Sequence, residues 1–158
     1  MSDVAIQAVS PPLSRGDLVG AWRLRQWDTV FEDGSVGFVM GAHPLGVIVY
    51  TIEGTMITTI CAADRPAIAS DDPLGGPDDQ RLATLGSFIA YSGTFRIDRA
   101  DVVHDVAISL FPNWVGGSQR RHVAVSGDGQ TLTLSTDPLV AGGRHGVQRL
   151  VWERIATT

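Results

Sequence analysis

Lysine is absent from this 158-residue chain: all twelve basic residues are arginine, set against seventeen acidic ones for a net charge of −5. The arginines are scattered, so the clustered cations that phosphate binding needs are missing and nucleic acid is not expected as a partner. Cysteine occurs once, at Cys61, which excludes an internal disulfide. Lying in an apolar run, it reads as a buried, unreactive thiol, consistent with a reducing compartment. No stretch approaches the ~18 apolar residues of a membrane helix, and the opening Met-Ser-Asp lacks the charged-then-apolar pattern of a secretory signal. A membrane partner is therefore not expected, and the expected location is cytoplasmic. Several motifs are missing too. There is no H-E-x-x-H or Cys/His cluster for a metal, no G-x-G-x-x-G or lysine-bearing phosphate loop for a nucleotide, and no G-x-S-x-G nucleophile elbow. No metal and no cofactor are expected, which leaves cofactor-free acid–base chemistry if the chain is an enzyme.

What is present is an ordinary globular composition, 44% hydrophobic and 18% charged, in a length that suits one domain. Residues 1–13, small and polar with Pro11-Pro12, read as a flexible tail before a single domain over 14–158. Ser14 to Asp17 has the S-x-x-D form of a helix start. Gly20 to Val30 alternates as a half-buried strand, with Trp22, Leu24 and Gln26 on one side and Arg23, Arg25 and Trp27 on the other. A short strand follows at Val36–Met40. Leu45–Ile52 and Thr55–Cys61 form a hairpin around Glu53-Gly54. After an Asp/Pro/Gly-rich loop, Pro77, Asp78-Asp79 and apolar residues at helical spacing give one amphipathic helix, about 77–88. Further strands are expected at Ala90–Ile97, Val102–Leu110, Gln119–Ser126, Thr131–Ser135 and Val147–Ile155. Eight or nine short strands with one short helix predict a mainly β protein, a closed antiparallel barrel, because closure leaves no unpaired edge.

The stretch Val102–Gly117, VVHDVAISLFPNWVGG, sets a histidine in an alternating apolar strand and ends it in a Pro-Asn-Trp corner. With Phe111–Ser118 as the turn, Ile108 falls opposite Arg121 and His104 opposite Val125. The face carrying His104, Val106, Ile108, Leu110, Gln119, Arg121 and Val123 is mainly apolar and is expected to line the barrel. His104 and Arg121 are its conspicuous polar members, an imidazole for proton transfer and a guanidinium to stabilise an anion. Tyr50 and Tyr91 offer phenolic donors. On the opposite face Asp105 and His122 lie diagonally and read as a solvated polar pair. Trp22 and Arg154 are expected to stack and close one end of the barrel. Asn113 and Trp114 form the corner, Trp114 as a cap over the mouth. The helix and its Gly-rich approach are placed as a lid.

Gly20-Ala21-Trp22 is similar to the G-x-W opening of lipocalins. More specifically, the chain resembles the lipocalin-like domain family of bacteria and fungi. The resemblance runs through Leu18–Trp22, Tyr50-Thr51 to Gly54–Met56, Arg65-Pro66, Ala90–Gly93, Ser109–Gly116 and Leu132–Ser135, and covers nearly all of residues 17–155. Where the family often shows a second histidine after His104, this chain has Asp105. The resemblance implies a small β-barrel with an internal cavity, used by related barrels to carry hydrophobic molecules or for cofactor-free cyclisation and isomerisation in secondary metabolism. The resulting expectation is a barrel that binds a small hydrophobic, cyclic or polyketide-like molecule and catalyses its isomerisation, cyclisation or elimination. The alternative is a non-catalytic carrier or sensor of such a ligand. His104, Arg121 and Tyr91 are the candidate catalytic residues; Tyr50, Gln26, Ile108, Val123, Asn113, Trp114 and Phe88 are the candidate ligand contacts. A homodimer is compatible with the sequence.

Overall fold

The computed structural model describes residues 12–156. The expected tail lies largely outside them, and Leu13 at its end packs against the core. Ser14 donates to Asp17 Oδ2 from both its backbone N–H (2.7 Å) and its hydroxyl (2.8 Å), which starts the single helical turn α1, Arg15–Leu18. The remaining elements are β1 Gly20–Phe31, β2 Val36–Gly37, β3 Leu45–Tyr50, β4 Thr55–Cys61, α2 Asp78–Gly86, β5 Phe88–Asp98, β6 Asp101–Ser109, a 3₁₀ turn at Pro112–Trp114, β7 Ser118–Val125, β8 Thr131–Ser135, β9 Leu139–Ala141 and β10 Arg144–Arg154. Antiparallel neighbours run β1-β3-β4-β5-β6-β7-β8-β10, and β10 pairs back onto β1. The result is a closed eight-stranded barrel to which β2 and β9 add short extra pairings on β1 and β10. No helix among the described residues is long and apolar enough to cross a membrane.

One end of the barrel is filled. Leu18, Trp22, Met56, Val102 and Leu132 are fully sealed from solvent, with Tyr50 and Trp152 at 1%, each side chain contributing on the order of 1.5–3 kcal/mol of burial. Trp22 Nε1 donates to the Leu18 carbonyl (2.8 Å). Arg154 lies opposite Trp22 in the β1–β10 register, with its guanidinium 4.0 Å from the indole. It donates to the carbonyls of Gly129, Val19 and Asp17 at 2.8, 2.9 and 3.0 Å. The G-x-W motif thereby acquires a physical reason. Gly20 sits at φ +130°, and a Cβ there would come within 2.9 Å of Arg154 Nη1.

The structure corrects the sequence pattern in several places. A bulge between Leu24 and Gln26 shifts the alternation of β1, so Trp27 turns inward with Trp22 and Leu24 while Gln26 turns outward and donates to buried Asp28. A second bulge, in β6 against Ser92/Gly93, inverts the alternation after Val106, and Ile108 becomes 70% exposed. The β6–β7 register is offset from the expected one: His104 faces Gln119 and Val102 faces Arg121. The offset is an even number of residues, so His104 and Arg121 still share the inward face. α2 ends at Gly86 and Phe88 opens β5, while β9 and the start of β10 at Arg144 occupy the span left between the expected strands Thr131–Ser135 and Val147–Ile155. Cys61 is half-buried at the end of β4, less enclosed than the apolar run suggested.

Candidate functional site

The end of the barrel away from Trp22 and Arg154 opens into a cavity of about 780 Å³, within the range of small-molecule sites. Trp27, Trp114, Ile89, Leu134 and Leu150 supply apolar wall, and β9 contributes Leu139, Val140 and Ala141 at the mouth. Tyr91, His104, Gln119 and Arg121 form a polar station in the lining, which also carries Gln148 and Arg144. Among the described residues, none of the side chains lining this cavity is a carboxylate.

His104, 1% exposed, lies between two phenols. Its Nε2 is 2.8 Å from the Tyr50 hydroxyl and its Nδ1 is 3.0 Å from the Tyr91 hydroxyl. Burial drives its pKa down to about 3, helped by the neighbouring Arg121 charge and opposed by Asp105, so the imidazole is neutral and carries one N–H. Tyr50 has no hydrogen-bond partner besides His104 among the described residues. If Nε2 donated to Tyr50, the phenolic hydrogen would be buried without an acceptor, at about 1–3 kcal/mol. The satisfied arrangement has Tyr50 donating to Nε2 and Nδ1–H donating to Tyr91, which leaves the Tyr91 hydrogen for the cavity. Burial raises the pKa of both phenols, Tyr50 strongly, while the Arg121 charge pulls each the other way. Both are therefore neutral donors at physiological pH.

Arg121 reaches the station from β7. It donates to the Arg120 carbonyl (2.8 Å) and to Gln119 Oε1 (2.7 Å), which fixes the guanidinium without neutralising it. The second cation of the lining, Arg144, is held at the rim: it packs 3.7 Å over the Phe31 ring and donates to Asp33 (2.9 Å) and Ser35 (2.7 Å). The station thus presents a neutral O–H donor beside a positive charge in an apolar enclosure. Such a pair recognises a carbonyl, enolate, phenolate or carboxylate oxygen.

Of the residues singled out from sequence, His104, Arg121, Tyr91 and Trp114 line the cavity. Tyr50 stands behind His104, within the sealed core. Val123 keeps the inward face but packs against the core, outside the cavity lining. Gln26 and Ile108 are turned outward by the two bulges, and Asn113 is exposed on the 3₁₀ turn. Phe88 lies beneath the Arg65 guanidinium (5.0 Å) and lines hollows beside α2 instead of the main cavity. No residue of α2 lines the main cavity, so α2 flanks the mouth and does not cover it. The outer-face pair resolves differently from the expected diagonal. His122 joins Asp101 (2.9 Å) and Asp137 (2.7 Å), while Asp105 bonds Ser118 (2.5 Å) and Arg96 (3.2 Å). Trp27, Leu134 and Leu150 were missed as lining residues; Trp27 was hidden by the β1 bulge.

A closed antiparallel barrel, filled at one end and hollow at the other with a polar station at the bottom of the hollow, defines the class of cavity-bearing β-barrels. The chain belongs to the lipocalin-like domain family, whose model matches residues 19–155. It is also similar to the 4'-hydroxy-3'-methoxypropiophenone carrier protein ppsC of Aspergillus oryzae (strain ATCC 42149 / RIB 40). The two are 36% identical over 109 residues, which span 63% of this chain and 96% of that protein.

Proposed function

We propose that this chain binds and carries a small aromatic ketone or phenol, seated in the barrel with its oxygen against Tyr91 and Arg121. The carrying observation is the hydrogen-bonded series Tyr50–His104–Tyr91, whose satisfied arrangement leaves the Tyr91 hydrogen to the cavity, beside an Arg121 guanidinium that has no carboxylate partner among the described residues. Aromatic and aliphatic walls suit the ring of such a ligand. The name of the Aspergillus relative joins a phenol and an aryl ketone in one carried molecule, which is the chemistry the station fits.

The same geometry weighs against the isomerase, cyclase or lyase reading. Acid–base turnover needs a proton acceptor at the ligand. His104, with a pKa near 3 and both nitrogens engaged, is a poor one, and among the described residues the cavity lining holds no carboxylate. His104 is better placed to aim Tyr91 than to take a proton.

The test is titration of the intrinsic tryptophan fluorescence, or calorimetry, with 4'-hydroxy-3'-methoxypropiophenone. Saturable binding is expected. Arg121→Gln and Tyr91→Phe should each weaken it by roughly tenfold or more, the range of a charge-assisted or buried hydrogen bond. Equal affinity in all three proteins would remove the proposed oxygen site. Proton NMR of the same samples in D2O reads α-hydrogen exchange on the ketone. No acceleration over buffer is expected, and an Arg121-dependent acceleration would restore the catalytic reading.

A further inference from the structure

Beside the mouth lies a second hollow, of about 350 Å³, between α2, the residues before β3 and the 3₁₀ turn. Its lining residues are all apolar or glycine, including Met40, Leu85, Phe88, Leu110 and Phe111. It shares Val39, Ile89 and Trp114 with the main cavity. Trp114 forms the border: its ring meets Tyr91 edge-on at 5.7 Å on the cavity side and Phe111 at 5.5 Å on the outer side. Leu85, Phe111, Val39 and Leu110 are 54, 50, 47 and 40% exposed. A contiguous group of open apolar side chains at a cavity mouth marks a binding surface.

We infer that the outer hollow is a subsite for an aliphatic chain, so that the ligand class is an aryl ketone or phenol bearing a hydrocarbon tail. The oxygen sits at Tyr91 and Arg121, the ring in the barrel, and the tail crosses Trp114 to lie against Leu85, Leu110 and Phe111. The inference rests on the proposed oxygen station for its head group. Its own support is the shared border and the wholly apolar lining. A polar extension would find few partners there, whereas each methylene would gain by leaving water.

The experiment is a homologous series of 4-hydroxyphenyl alkyl ketones, from propiophenone to the octyl ketone, titrated into the wild-type protein and into Leu85→Asp and Leu110→Asp. Both leucines are exposed and lie outside the main cavity, so these variants are expected to fold; circular dichroism and propiophenone affinity verify this. In the wild type, affinity should rise about threefold to fourfold per added methylene once the tail passes Trp114. The rise should flatten in both variants while propiophenone binds unchanged. A flat series in the wild type, or a rise that survives both substitutions, overturns the subsite. Failure of propiophenone to bind, with long homologues still binding in a Leu85-dependent way, sustains the subsite and removes the head-group reading instead.

Discussion

The Tyr50 hydroxyl lies 2.8 Å from His104 Nε2, inside the sealed core and with no second partner for the phenol among the described residues. A buried phenol with one neighbour must donate to it, and that donation sets the imidazole tautomer. The expected state of His104 is neutral with the hydrogen on Nδ1, readable from ¹⁵N shifts of the labelled ring. Hydrogen on Nε2 would contradict the assignment and with it the direction of the Tyr91 hydroxyl. Tyr50→Phe removes the donor and strands a buried nitrogen, so a loss of about 1–3 kcal/mol is expected by urea denaturation. Ligand affinity should fall as well, although residue 50 does not line the cavity.

Arg154 and Trp22 hold the filled end of the barrel. One guanidinium stacks on the indole and ties β10 to three carbonyls from two other segments. Arg154→Ala should destabilise the fold by about 2–4 kcal/mol. Arg154→Lys should recover only part of this, since an ammonium lacks the planar fork that reaches all three acceptors. Equal stability of the lysine variant and the wild type in urea would show that charge alone suffices.

Gly93 faces the β6 bulge, and a Cβ at that position would stand 1.9 Å from the Asp105 carbonyl oxygen. Neither strand can yield without breaking the pairing that sets His104 opposite Phe95. Gly93→Ala is therefore expected to destabilise by more than an ordinary surface change, about 2 kcal/mol or more, and to shift the His104 ring resonances. Unchanged ring shifts would show that the bulge does not position the histidine.

Much of this arrangement was legible in the sequence because period-two alternation survives wherever strands pair regularly. Thr55–Cys61 and Thr131–Ser135 appear with the expected boundaries. His104 and Arg121 share a face because parity, which alternation reports, is preserved by any even offset in register. What alternation cannot report is an extra residue. The β1 bulge brought Trp27 in and put Gln26 out, and the β6 bulge did the same to Ile108; neither bulge has a marker in its own strand. Gly93, on the facing strand, was the available signal for the second. The Tyr50–His104–Tyr91 contact joins residues 54 and 13 positions apart across three strands, and only the closed barrel brings them together.

His122 is a clamp on the outer face whose contacts favour the charged ring. Carboxylates of Asp137 and Asp101 meet its two ring nitrogens, and both require an N–H, so the contacts raise its pKa, Asp137 foremost. A raised folded pKa stabilises fully below the unfolded value near 6.5 and is lost as pH climbs through the folded value. The side chain is half exposed, so the contribution should stay below about 1 kcal/mol. An NMR titration should place His122 above 6.5 in the wild type and lower in Asp137→Asn. Asp137 immediately precedes the segment into β9, so resonances of Leu139–Ala141 should titrate with the ring; a stationary β9 would confine the clamp to Asp101.

His104 gives the opposite dependence. Its folded pKa is near 3 because burial excludes the cation, whereas the unfolded ring protonates near 6.5. Between those values the unfolded state binds the extra proton, so stability rises with pH across the interval, by at most about 1.4 kcal/mol per unit. Carboxylates with depressed pKa, such as Asp105 and Asp17, add the same sign at lower pH, which makes pH 5 to 6.5 the diagnostic window. His122 is protonated in both states over most of that window and contributes little there. Urea midpoints measured across it should climb steadily in the wild type and flatten in His104→Gln, which keeps a donor and an acceptor between the tyrosines but cannot titrate. An unchanged slope in that variant would mean that His104 is accessible to protons in the folded barrel, and the neutral relay that aims Tyr91 into the cavity would fall with it.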